Sequence, residues 1–220
     1  MSSYHGKVDS LGLSFFGSMT ASISHEIKNA LAIINENAGL LGDLVALSEK
    51  GRPLDPERLQ TISDSIRRRV QGADDIVRRL NRFAHSANQP VVTTGIRDIL
   101  ACTVALSERL ATMKGVRLSI AAGEEIEVQT LPFVLENLLW ICLKNIFLLA
   151  GEGQQVVLGA VREESDVVVT LHCTPEIPVE QLETTVATEG QPLIFFLRMQ
   201  VRADPHNGRL CLHMPLRFIE

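Results

Sequence analysis

Apolar residues recur every three or four positions along the first fifty residues: Met19, Ile23, Ile27, Ala30, Ile34, Ala38, Leu41 and Val45. That period predicts one stripe of a long helix. Polar Ser24, Lys28, Asn35 and Glu36 fall off the stripe. The helix is expected to begin between Leu11 and Ser18 and to stop at Gly51-Arg52-Pro53. A second helix opens on Asp55-Pro56-Glu57, a capping residue, a proline suited to the first turn and an acid at the positive end of the dipole. Its stripe is Leu59, Ile62, Ile66, Val70, Ala73, Ile76 or Val77, Leu80 and Phe83, and it fades in Ser86-Ala87-Asn88-Gln89-Pro90, which reads as a hinge. Two such helices form an antiparallel hairpin about 45 to 60 Å long. A hairpin alone has too little interior to cover both stripes, so a homodimer closing a four-helix bundle is expected.

Beyond residue 93 the pattern changes. A helix is expected over residues 94–113, strands over 116–121 and 126–129, and a helix over 132–149. Two strands follow, 155–162 and 166–173, joined by Glu163-Glu164-Ser165. Residues 174–190 are rich in Pro and Thr and weakly patterned. A helix over 192–202 and a strand over 209–216 complete the chain. The fold class is therefore α+β: a helical-hairpin domain over residues 1–90, then an α/β sandwich over 91–220 with helices on one face of a mixed sheet.

Composition narrows the function. The chain has 220 residues, 45% of them hydrophobic, and a net charge of −5. It can bury a core, and its charge argues against a nucleic-acid partner held through phosphates. No apolar run reaches the about 18 residues of a membrane span, the longest candidate (137–150) being interrupted by Lys144 and Asn145. No secretory signal pattern opens the chain, so a cytoplasmic protein without membrane partners is expected. Four scattered cysteines, Cys102, Cys142, Cys173 and Cys211, form no CxxC pair and are expected to be buried thiols. No metal site is expected: His172 and Cys173 are the one adjacent His–Cys pair, and strand alternation sends them to opposite faces.

The informative segment is Ser24-His25-Glu26-Ile27-Lys28-Asn29. His25 lies about 200° from both Ile23 and Ile27 on a wheel of about 100° per residue, so it points outward. Glu26 can accept a proton from one ring nitrogen and leave the other free to attack. Asn29 sits one turn further along the same face. The segment, continued by Ala30-Leu31, resembles the H-box of the dimerisation and phosphotransfer domain of sensor histidine kinases, approximately S-H-E-hydrophobic-polar-N-P-L, with Ala30 in place of the proline. Arg78-Arg79-Leu80-Asn81-Arg82-Phe83-Ala84 is similar to that domain's second-helix ending. The resemblance implies that His25 accepts a phosphoryl group, that Glu26 assists as acid or base, and that Asn29 stands where relatives orient an attacking water. It also implies response-regulator receiver domains as partners, an upstream hybrid kinase, and Mg²⁺ held by the receiver. Lys28, Arg67, Arg68, Arg78, Arg79 and Arg82, together with Arg69, could attract an acidic receiver pocket.

The same resemblance implies an ATP-binding domain in the second half. Asn145 falls where the family keeps its Mg²⁺-holding asparagine. The glycine-rich boxes are missing, however. His172-Cys173-Thr174-Pro175-Glu176-Ile177-Pro178 stands in place of D-x-G-x-G-I, and Gly190-Gln191-Pro192-Leu193-Ile194 in place of G-x-G-L-G. Without backbone N–H groups free to cradle phosphates, ATP is not expected to bind and Asn145 is expected to be vestigial. The expected activity is that of a phosphotransferase with a phosphohistidine intermediate, carrying phosphate between receiver aspartates. A divergent soluble kinase that phosphorylates His25 from ATP, a non-enzymatic docking regulator and a receiver phosphatase are the alternatives.

Overall fold

The computed structural model describes residues 2–87, 91–164 and 166–218. The chain packs as two compact units, Ser18–Arg82 and Met1–Gly17 with Phe83–Glu220. The expected hinge at 86–90 lies partly outside the described residues.

The first unit is a helical hairpin built from most of α1 (Ser2–Glu49) and α2 (Pro56–Ser86). Helix α1 is longer at its N-terminus than the stripe suggests. The reverse turn uses Gly51 at φ 84°, a conformation that suits glycine. Asp55 caps α2 as expected, its carboxylate accepting the Glu57 N–H at 3.0 Å. Met19, Ile23, Ala30, Leu44 and Ile62 are buried. On this part of α1 the buried positions are 19, 23, 30 and 44, with half-buried Glu26, Ile33 and Asn37 on one side of that line and half-buried Ile27, Ile34 and Leu41 on the other. Of the expected stripe, Ile27 and Ile34 are only half-buried and Ala38 and Val45 are exposed within a single hairpin.

In the second unit, a five-stranded mixed sheet has the order β2-β4-β5-β7-β6, with β2 (Arg117–Ile120) parallel to β4 (Gln155–Glu163) and the remaining pairs antiparallel. The other strands are β5 (Asp166–Thr174), β6 (Gln200–Asp204) and β7 (Arg209–Pro215). A separate two-stranded ladder joins β1 (Val92–Gly95) to β3 (Glu127–Thr130). Helices α3 (Ile96–Met113), α4 (Pro132–Leu149), α5 (Val179–Glu189) and α6 (Gln191–Phe196) complete the unit. Leu135, Leu138, Leu139 and Leu143 of α4 share one core with Val156, Leu158, Val169 and Leu212 of the sheet. Each such side chain stabilises the fold by about 1.5–3 kcal/mol when fully buried.

Three expectations are corrected here. The helix drawn over 192–202 ends at Phe196, and Gln200–Asp204 is edge strand β6. The weakly patterned 174–190 segment holds helix α5, whose buried Val179, Leu182 and Val186 recur at helical spacing. Two helices, Gly6–Glu49 and Pro132–Leu149, are long and apolar enough to cross a membrane by length and composition. Within the second of these, 72% of the apolar window is buried, because α4 is the central helix of the sandwich and its flanking leucines outweigh Lys144 and Asn145.

An aromatic cluster anchors the first residues of α1 and the last turn of α2 in this unit. Phe83, fully buried, meets Phe15 edge-on at 5.2 Å between ring centroids, Phe16 in a stack at 5.4 Å and Phe133 at 5.7 Å. Trp140 lies 6.4 Å from Phe15. Beside the cluster, Ser86 Oγ donates to the buried Glu136 carboxylate at 2.9 Å. At the sheet edge, Glu183 of α5 accepts the Ala203 N–H of β6 at 2.8 Å. All four cysteines are buried free thiols, and complete burial pushes the Cys142 thiol up to about 12.

Candidate functional site

The hairpin places His25 on an exposed face of α1, as the wheel predicts. Lys28 and Asn29 are exposed as well. Glu26, one residue and about 100° round from His25, turns instead toward the seam with α2. Its carboxylate meets the Arg79 guanidinium at 3.3 Å, with the Glu26 side chain 23% exposed. The sequence reading put Glu26 beside the imidazole and Arg79 on a docking strip. The geometry joins these two residues to each other. A half-exposed pair of this kind contributes about 1 kcal/mol or less to stability, so its importance lies in fixing where the carboxylate points.

A cleft of about 200 Å³ opens on this flank of the hairpin. Glu26, Asn29, Ala30 and Ile33 of α1 line one wall, and Arg68, Arg69, Gly72 and Ile76 of α2 line the other. The arginines of α2 thus divide. Arg68 and Arg69 face the cleft shared with Asn29. Arg78 is exposed and bonded to Asp74 at 2.8 Å, an i, i+4 pair within its own helix. Arg67 and Arg82 are exposed and stand outside the cleft. A run of arginines in sequence cannot show this division, which follows from the helical phase and the neighbouring helix of the hairpin.

On the opposite flank of both helices lies an apolar surface. Leu31 is 56% exposed, Val45 53%, Val70 51% and Val77 40%.

In the sandwich, Asn145 is buried in α4. Its side-chain amide donates to the Ile141 carbonyl at 3.0 Å and to the Glu189 carboxylate at 3.2 Å. The same Glu189 oxygen meets Lys144 Nζ at 3.3 Å. Both amide hydrogens of Asn145 are thereby engaged within the protein. Sequence reasoning missed Glu189; its position just before Gly190 was the available signal. Gly190, the last glycine of the expected phosphate loop, serves packing. A Cβ there would lie 2.8 Å from Leu138 Cδ1 and 2.9 Å from the Val186 carbonyl oxygen. Gly190→Ala is expected to lower stability by about 1–3 kcal/mol through overpacking, measurable as a fall in the urea midpoint.

No family model and no curated protein matches the sequence. Solved structures do match. The catalytic domain of histidine kinase ThkA aligns with 60% of this chain and all of that domain at 13% identity, with a TM-score of 0.49. A histidine kinase from Burkholderia phymatum STM815 aligns with 92% of this chain and 98% of its own at 14% identity and a TM-score of 0.48. Histidine kinase ThkA in complex with response regulator protein TrrA aligns with 93% of this chain at 16% identity and a TM-score of 0.47, this chain spanning 63% of its length. At such identities and scores function has to be read from this chain's own residues. The chain's own architecture is a helical hairpin followed by an α/β sandwich.

Proposed function

We propose that this chain is a histidine phosphotransferase of two-component signalling, carrying on His25 a phosphoryl group that it takes from one receiver-domain aspartate and gives to another. The observation that carries the reading is the exposed imidazole of His25 within an SHExxN segment on a two-helix scaffold. In the forward step the unprotonated ring nitrogen attacks the phosphorus of the partner's aspartyl phosphate. The N–P bond forms as the P–O bond to the partner's carboxyl breaks, and that bonding pair leaves on the carboxylate. The proton on the other ring nitrogen passes to water, leaving an uncharged imidazole ring that bears the anionic phosphoryl group. Attack by a second receiver's aspartate reverses these events. Such transfers need mainly positioning and charge stabilisation, and the Mg²⁺ that assists belongs to the receiver.

The phosphate in this reading does not come from a nucleotide, because both glycine boxes that would offer backbone N–H groups to its phosphates are absent. Mg-ATP is accordingly expected to leave the melting temperature unchanged and to put no label on His25. A micromolar Kd would stabilise the fold by about 2.7 kcal/mol at a hundredfold excess of ligand, an effect that a thermal shift assay detects, and would restore the kinase reading.

A homodimer suits the apolar flank that carries Leu31, Val45, Val70 and Val77, since pairing two hairpins removes that surface from water. The phosphatase alternative is favoured by one observation, the exposure of Asn29 in a cleft while Glu26 is tied to Arg79. In that case phosphate leaves the receiver as inorganic phosphate and His25 is never labelled.

A further inference from the structure

We propose that Arg68 and Arg69, facing Asn29 across the α1–α2 cleft, form an anion subsite that holds the phosphoryl oxygens during exchange with His25; this rests on the phosphotransfer reading and gives it a location. Four observations lead there. Among the described residues, neither Arg68 nor Arg69 is paired with a carboxylate, whereas Arg78 and Arg79 both are. Two unengaged guanidiniums on successive residues, both lining one cleft, offer a fork of donors matched to tetrahedral oxyanions. Glu26 also lines that cleft, but its charge is met by Arg79 at 3.3 Å, so it does not oppose an entering anion. Asn29 adds an uncharged amide that can donate to the same oxygens.

Position is the third element. On the α1 wheel Asn29 lies about 40° from His25, one turn or about 6 Å further along. A phosphoryl group bonded to the imidazole and one resting at the arginines are therefore neighbours on the same flank. Gly72 is the fourth. It sits in the middle of α2, where glycine costs about 1 kcal/mol against alanine. A Cβ at Gly72 would meet nothing within 4 Å, so no close approach of the backbone requires it. What its missing side chain does provide is an open wall between the two arginines and Ile76.

The subsite can be examined without knowing the receiver. Inorganic phosphate is titrated into the full chain, with chloride at matched ionic strength as the control, while backbone and arginine NMR resonances are followed. Phosphate-specific shifts confined to Asn29, Arg68, Arg69 and Gly72 are expected. They should vanish in Arg68→Ala/Arg69→Ala and in Gly72→Glu, which leaves both arginines in place but fills the cleft with a carboxylate. Arg67→Ala should retain them. Shifts that chloride reproduces, or that persist in the double variant, overturn the subsite. In a second arm, phosphoramidate serves as a small phosphoryl donor to His25. The donor concentration for half-maximal labelling should rise at least tenfold in the double variant and recover in part in Arg68→Lys/Arg69→Lys. An unchanged value likewise overturns the subsite. Failure of the unaltered chain to be labelled at His25 counts against phosphotransfer itself, and the phosphate titration still judges the cleft.

Discussion

A His25→Ala chain is expected to take up no acid-labile phosphate from a phosphorylated receiver domain, while folding as the unaltered protein does. The loss should be complete, because no neighbouring residue can replace an imidazole as the carrier: Ser24, an adjacent exposed group, would give a stable phosphate ester, and the ammonium of exposed Lys28 has no lone pair with which to attack phosphorus. Stability should hold or rise by a few tenths of a kcal/mol, since the position is exposed and alanine is the better helix former. The measurement is radiolabel or mass-shift transfer from the receiver, read before and after acid treatment, alongside a melting curve. Label retained by the His25→Ala chain would end the phosphocarrier reading. Phosphate lost from the receiver by both chains at equal rates, with neither labelled, would point to hydrolysis directed by Asn29.

The largest effect on stability is expected at Phe83. Truncation to alanine removes a fully buried ring that touches Phe15, Phe16 and Phe133, and should cost about 3–5 kcal/mol. Leu13→Ala, at a position 74% exposed on the same stretch of α1, should stay within about 0.5 kcal/mol. Trp140 is the sole tryptophan and lies against Phe15, so its fluorescence reports the unfolding of this cluster directly. Urea midpoints that differ by less than the Leu13 control would show that the aromatic cluster is peripheral.

These two sites also show how far the sequence was legible. His25 could be placed because the outward direction follows from its phase against Ile23 and Ile27, and its exposure agrees. Phe83 closed the expected stripe of α2 and is buried. What the stripe could not reveal was its partner, for rings at 15, 16, 83 and 133 meet only through the tertiary fold. The choice of seam on α1 was ambiguous for a related reason. That helix carries apolar residues on two flanks, and periodicity alone cannot say which of Ile27 or Ile33 meets α2 and which faces away. Glu26 was misplaced with it, since the phase that carries Ala30 inward carries Glu26 toward Arg79. Helix α5 was hidden by composition: Pro175, Pro178 and a run of threonines masked a sound apolar spacing at 179, 182 and 186. Strand β6 was hidden by its neighbour, because Ile194-Phe195-Phe196 pattern equally well with either element.

The bond from Glu183 to the Ala203 amide has a consequence for how copies of this protein meet. An outermost strand with open amides is a template on which another chain can add its own backbone, and growth of that kind has no natural end. Here a negatively charged side chain from the covering helix already occupies one of those amides, and a newcomer would have to displace it. Addition of a further chain along β6 should therefore be disfavoured.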